Sequence, residues 1–128
     1  MAGTATLTTT QDDRQVKKYS VAWTSTAGGA VSANAFTLVQ PGYLIRATVM
    51  PNLAGSQPTD LYDLTLVDAE SIDVLNGMGA NRSNAAGHIF TFDPPVYMPL
   101  NSTLDVVIAN AGNAKTGRVD IYVEGQRV

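Results

Sequence analysis

From Lys17 to Val128, apolar side chains fall at every second position in short runs, and Gly, Pro and Asn cut the runs apart. Period-two alternation buries one face of a strand and wets the other. The first firm run is Lys17–Ser25, with Tyr19, Val21 and Trp23 on its inward face. A second spans 31–40, with Phe36 and Leu38 on one side. Gln40-Pro41-Gly42-Tyr43 then places Pro and Gly where a type II turn needs them, so this run and the next, Tyr43–Met50, are expected to form a hairpin. In that third strand Tyr43, Ile45, Ala47 and Val49 share one face. Leu44, Arg46, Thr48 and Met50 share the other.

Further strands are expected at 60–67, 88–92, 96–100, around Leu104/Val106/Ile108, and around Val119/Ile121/Val123, with a short extra one near 72–75. Residues 77–87 read as the longest stretch without structure. No helix-period segment longer than two turns competes. Short strands separated by turn signals give an all-β fold, an antiparallel β-sandwich of about eight strands. Eight is the count of a jelly roll. An immunoglobulin-like sandwich is the alternative, without its hallmark cysteine pair.

Residues 1–16 differ. Thr4, Thr6, Thr8, Thr9 and Thr10 alternate loosely with Ala and Leu before Gln11-Asp12-Asp13-Arg14-Gln15. Threonine favours extended backbone, yet the apolar content is too low for a central strand. The stretch reads as an N-terminal arm, mobile or ordered by a partner, ahead of a single sandwich domain at 17–128. A frayed terminus is the alternative.

Composition narrows the function classes. The chain has 128 residues, 15% of them charged, and a net charge of −3. That charge share is below the usual quarter, which suits either a surface covered by neighbours or an extended polar sheet. No basic stripe tracks a phosphate backbone, so no nucleic-acid partner is expected. No apolar run approaches the roughly 20 residues of a membrane span, and Met1–Leu7 lacks the basic start and apolar stretch of a secretion signal. With no cysteine, disulfide and thiolate chemistry are absent.

Reactive groups are sparse. His88, the only histidine, falls on the face of Phe90 and Phe92 and reads as a strand-edge or interface residue. Asp68, Glu70 and Asp73 crowd one turn and are weak calcium candidates, though their spacing lacks the glycine and terminal glutamate of the helix-loop-helix calcium loop. A solvated acidic turn is the alternative. Tyr19, Trp23 and Tyr62 sit on apolar faces and read as core, whereas Tyr122 should face out beside Arg118, Asp120 and Glu124. Leu44 and Met50 flank Arg46 on an expected outer face, and Val107 does the same on its strand. Apolar groups on both faces point to cover by another subunit, with a strand in mid-sheet under a loop as the equal alternative. No nucleophile, base or metal cage is assembled, so an enzyme and a cofactor are not expected.

Two stretches carry a resemblance. One runs Asp60-Leu-Tyr-Asp-Leu-Thr-Leu-Val-Asp-Ala-Glu, then Asp73-Val-Leu-Asn-Gly and Gly79-Ala-Asn-Arg-Ser. The other is Val106-Val-Ile-Ala-Asn-Ala-Gly-Asn-Ala-Lys-Thr-Gly-Arg-Val. Together they resemble the jelly-roll capsid cement, or decoration, proteins of tailed bacteriophages. That resemblance implies a subunit made in the bacterial cytoplasm and bound to the outside of the virion. It implies the major capsid protein as partner and a homodimer about a two-fold axis. The resemblance does not say which residues touch the shell; from the pattern of faces and the arm, Thr8, Thr9 and Thr10, with Leu44, Arg46, Met50, Val107 and Tyr122, are the expected partner contacts. A head–tail adaptor, a tail or fibre attachment module, and a carbohydrate-binding sandwich remain as alternatives.

Overall fold

The structure, a computed structural model, describes residues 3–11, 16–32, 34–38, 41–99 and 101–125. Eight strands form two antiparallel sheets: β1 (Thr4–Gln11), β2 (Val16–Thr24), β3 (Phe36–Thr37), β4 (Gly42–Pro51), β5 (Asp63–Asp68), β6 (His88–Met98), β7 (Thr103–Ala109) and β8 (Thr116–Gly125). The larger sheet has the order β1-β2-β8-β4-β6 and the smaller β3-β7-β5. From β2 onward every connection crosses from one sheet to the other. The described residues contain no helix.

The core lies between the sheets. Tyr19, Val21 and Trp23 of β2, Val119, Ile121 and Val123 of β8, and Leu104, Val106 and Ile108 of β7 are all buried, as their alternation predicts. Tyr62, Leu64 and Leu66 close the other side. Gly117 faces Trp23 across the β2–β8 ladder. A β-carbon there would lie 2.5 Å from the indole ring and 2.9 Å from the Met50 carbonyl, so only glycine lets the tryptophan fill the layer.

Four expectations about the strands are corrected. Residues 4–11 are not a free arm; they pair along their whole length with β2, and an outermost strand needs apolar residues only where it overlaps the opposite layer. The expected hairpin between the second and third runs is absent, because β3 joins the smaller sheet beside β7 while β4 lies between β8 and β6. The runs at 88–92 and 96–100 are one strand, since Pro94 and Pro95 sit at a sheet edge where a missing N–H is tolerated. Finally, β4 carries a bulge between Leu44 and Arg46. One extra residue reverses the phase of the strand: Leu44 is fully buried and Tyr43 is 38% exposed.

The loop at 77–87 is organised rather than structureless. Arg82 and Tyr62 form an isolated bridge. Asp63 accepts the Asn81 N–H at 2.9 Å and Asp60 accepts that of Asn84 at 3.1 Å. Turn asparagines at positive φ, among them Asn76 and Asn81, bend the chain locally.

Candidate functional site

Residues directly opposite in an antiparallel ladder share a face, so the registers assemble the outer surface of the larger sheet row by row. One row runs Thr6, Ala22, Arg118, Met50. The next is Thr8, Ser20, Asp120, Thr48, Ile89. A third is Thr10, Lys18, Tyr122, Arg46, Thr91. The last brings Val16, Glu124, Tyr43 and Tyr97 together. Apart from Lys18, the described side chains of the β1–β2 half are small: Thr6, Thr8, Ser20, Ala22 and Val16. The β8–β4–β6 half carries the large ones.

That second half has internal order. The rings of Tyr43 and Tyr97 lie 5.3 Å apart, both exposed. The Arg46 guanidinium sits 4.8 Å from the centroid of Tyr122, a cation–π contact between neighbours on adjacent strands. Met50 and Ile89 are exposed beside them. Asp120 points outward yet is only 4% exposed. Arg118 Nε approaches its Oδ1 to 3.1 Å, but no aligned hydrogen bond reaches that oxygen; the pair is an ion pair held by charge. Arg118 and Met50 form a ridge between two shallow depressions. One, of about 510 Å³, lies over Thr6, Ala22 and Thr24. The other, of about 370 Å³, lies over Thr48, Asp120 and Ile89.

The expected contact residues do not all meet here. Arg46, Met50, Tyr122 and Thr8 share this face. Thr9 is exposed but stands opposite Tyr19, on the inward phase. Thr10 holds a position in the outer row, and its side chain lies outside the described residues. Leu44 is core, turned inward by the bulge. Val107 stands opposite Thr65 on the outside of the smaller sheet, the far side of the sandwich. Sequence reasoning missed Tyr43 and Tyr97. A bulge leaves no reliable mark in composition, and the Pro94-Pro95 step hid the phase of Tyr97.

Nor do the calcium candidates converge. Asp68 Oδ1 accepts the N–H groups of Glu70 (2.9 Å) and Ile72 (3.0 Å). Asp73 Oδ1 accepts those of Leu66 and Leu75, and its Oδ2 that of Gly77, each at 3.0 Å. These carboxylates cap turns. Among the described residues, no three His, Cys, Asp or Glu side chains are grouped to hold a metal ion. His88 is exposed, its ring 4.7 Å from Phe90. Tyr62 is buried, and desolvation pushes its phenol from 10.0 up to about 12 against an opposing pull from Arg82.

No helix among the described residues is long and apolar enough to cross a membrane. No family model, curated protein or solved structure matches this chain.

Proposed function

We propose that this chain is a structural virion protein that binds the outside of a bacteriophage capsid and cements neighbouring major capsid subunits, docking through the outer face of the larger sheet. The observation that carries the reading is that face itself. It is broad and open, and its exposed Tyr43, Tyr97, Met50 and Ile89 stand around the Arg46–Tyr122 stack. Tyrosine, methionine and arginine are the residues enriched where proteins meet. Strand order supports the jelly-roll part of the reading. β2-β8-β4-β6 against β3-β7-β5, with each connection crossing between sheets, is the winding that interleaved Greek keys produce. On this topology β1 is an added outer strand. The motif resemblance at 60–83 and 106–119 supports the virion assignment.

A cement protein needs no reactive group. It stabilises a shell by binding the assembled state better than the free subunits, and bridging two subunits makes modest contacts tight. The test is occupancy on purified expanded shells. Tyr43→Ala/Tyr97→Ala and Arg46→Glu/Met50→Glu are expected to strip the protein from the shell while leaving its unfolding midpoint near that of the unaltered chain. Full occupancy by both double variants refutes the assignment of the face. Copy number separates cement from adaptor: hundreds per particle for the former, tens or fewer for the latter.

One observation favours a second reading. The depression over Asp120, walled by Tyr122 and His88, offers an aromatic edge and polar groups of the kind that sugars use. A glycan array with Tyr122→Ala as control decides it.

A further inference from the structure

We infer that β1 pairs edge to edge with β1 of a second copy of this chain, antiparallel, about a two-fold axis passing beside Leu7. Two sheets have four edges, and an unprotected edge strand is a template for another strand. Three of the four are closed. β6 carries Pro94 and Pro95, which donate no hydrogen bond, and its register breaks opposite Leu44/Arg46. β5 is covered by the chain that follows it: Val74 N–H donates to the Leu66 carbonyl, Leu64 N–H to the Gly79 carbonyl, and Leu66 N–H to Asp73 Oδ1. β3 is two residues long. Among the described residues, the fourth edge, β1, has none of these devices. Thr4–Gln11 contains no charge, no proline and no glycine, runs without a register shift, and is mostly β-branched.

The sequence of β1 also fits itself. With the axis at Leu7, Leu7 meets Leu7 of the second copy, Thr6 meets its Thr8, Ala5 its Thr9, and Thr4 its Thr10. No like charges oppose each other. Leu7 stands opposite Val21, on the inward phase, yet remains 40% exposed because the smaller sheet does not reach β1. A second Leu7 against it supplies the missing cover, while the outer rows join as a threonine ladder. Paired residues share a face, so the two outer faces of the larger sheets emerge on the same side as one continuous surface. The inference concerns the isolated chain and does not depend on what that surface binds.

Sedimentation velocity and native mass spectrometry of the purified chain test it. The unaltered chain is expected to show a concentration-dependent monomer–dimer equilibrium. Leu7→Lys and Leu7→Glu, which place like charges across the axis, should each weaken the dimer about tenfold or more. Mixing the two variants should restore it as a heterodimer, which also shows that both are folded. Because the chain has no cysteine, Leu7→Cys offers one thiol per copy and should oxidise to a covalent dimer. Thr9→Cys, which faces Ala5 of the second copy, should not. A monomer at every concentration overturns the inference. So does a dimer indifferent to both charges, or equal cross-linking from positions 7 and 9.

Discussion

Replacing Asp73 tests whether the acidic turn is structural. Its carboxylate holds three backbone N–H groups: Leu66 on β5, and Leu75 and Gly77 in the turn that covers β5. Leu66 and Leu75 are both fully buried, so the turn anchors one core side chain against the strand carrying another. Hydrogen bonds to a charged acceptor contribute about 1.5–3 kcal/mol each, less where water competes. The Gly77 bond is exposed and the other two are part-buried. Taking roughly 1.5 kcal/mol for each part-buried bond and about 0.5 for the exposed one, Asp73→Ala is expected to cost about 3.5 kcal/mol. At this chain length each kcal/mol moves the midpoint by roughly 3–5 °C, so the Tm should fall by about 10–17 °C.

Asp73→Asn keeps Oδ1 for Leu66 and Leu75 but presents an amide where Gly77 needs an acceptor. Its cost is expected near 1 kcal/mol. Urea and thermal unfolding of the three proteins, with calcium and with a chelator, give the answer. Were this turn a calcium site, the ion would raise the Tm of the unaltered chain and Asp73→Asn would abolish the rise. The capping role predicts no calcium effect and a graded series. An Asp73→Ala variant within 0.5 kcal/mol of the unaltered chain, measured against the expectation above, would refute it. So would equal losses from Ala and Asn.

Other expectations are briefer. Leu44→Ala should cost about 2–5 kcal/mol in chemical denaturation, whereas Tyr43→Ala should change stability little; equal effects would mean that the bulge is misplaced. Tyr62→Phe removes a buried hydroxyl that has no hydrogen-bond partner, so near neutral pH it should be neutral or stabilising. At high pH the unfolded chain releases this phenolic proton near 10 and the folded chain near 12; stability present below pH 10 therefore falls between those values, and the Tyr62→Phe profile should lack that part of the decline. Leu61 is an exposed leucine at a φ of 64°; Leu61→Gly should raise stability by about 0.5–1 kcal/mol in urea titration, the relief of left-handed strain outweighing the added chain entropy.

Inward faces were legible in the sequence wherever alternation ran unbroken. Tyr19/Val21/Trp23 and Val119/Ile121/Val123 gave their burial directly, because a strand has only two sides. Phase failed at Leu44 because a bulge is set by the ladders on both flanks of β4, not by β4 alone. Pairing failed for the 31–40 run because local turn chemistry at Pro41-Gly42 is equally compatible with a hairpin and with a crossing between sheets. The arm was misread because an outermost strand, half outside the overlap of the layers, can be as polar as a loop. Of the candidate face, Arg46, Met50 and Tyr122 were visible from alternation. Tyr43 and Tyr97 were not, since their approach depends on the bulge and on a strand that continues through two prolines.

The distribution of charge ties the turns to the face. An acidic chain would ordinarily repel another acidic surface, yet its carboxylates are not spread evenly. Asp60, Asp63, Asp68 and Asp73 are turned onto backbone N–H groups in the loops that close the β5 side. On the outer face of the larger sheet, Asp120 is matched by Arg118, and Lys18 and Arg46 stand with Glu124 and with Asp93, which follows Ile89 and Thr91 in the outward phase of β6. The face is thus close to neutral on a protein of net charge −3, and its exposed large side chains include Tyr43, Tyr97, Met50 and Ile89. Such a surface gains little from long-range steering and much from close apolar fit. If this face docks as proposed, affinity per copy is limited by shape rather than by charge, and the β1 pairing inferred above would double the face and so tighten the hold on a flat partner.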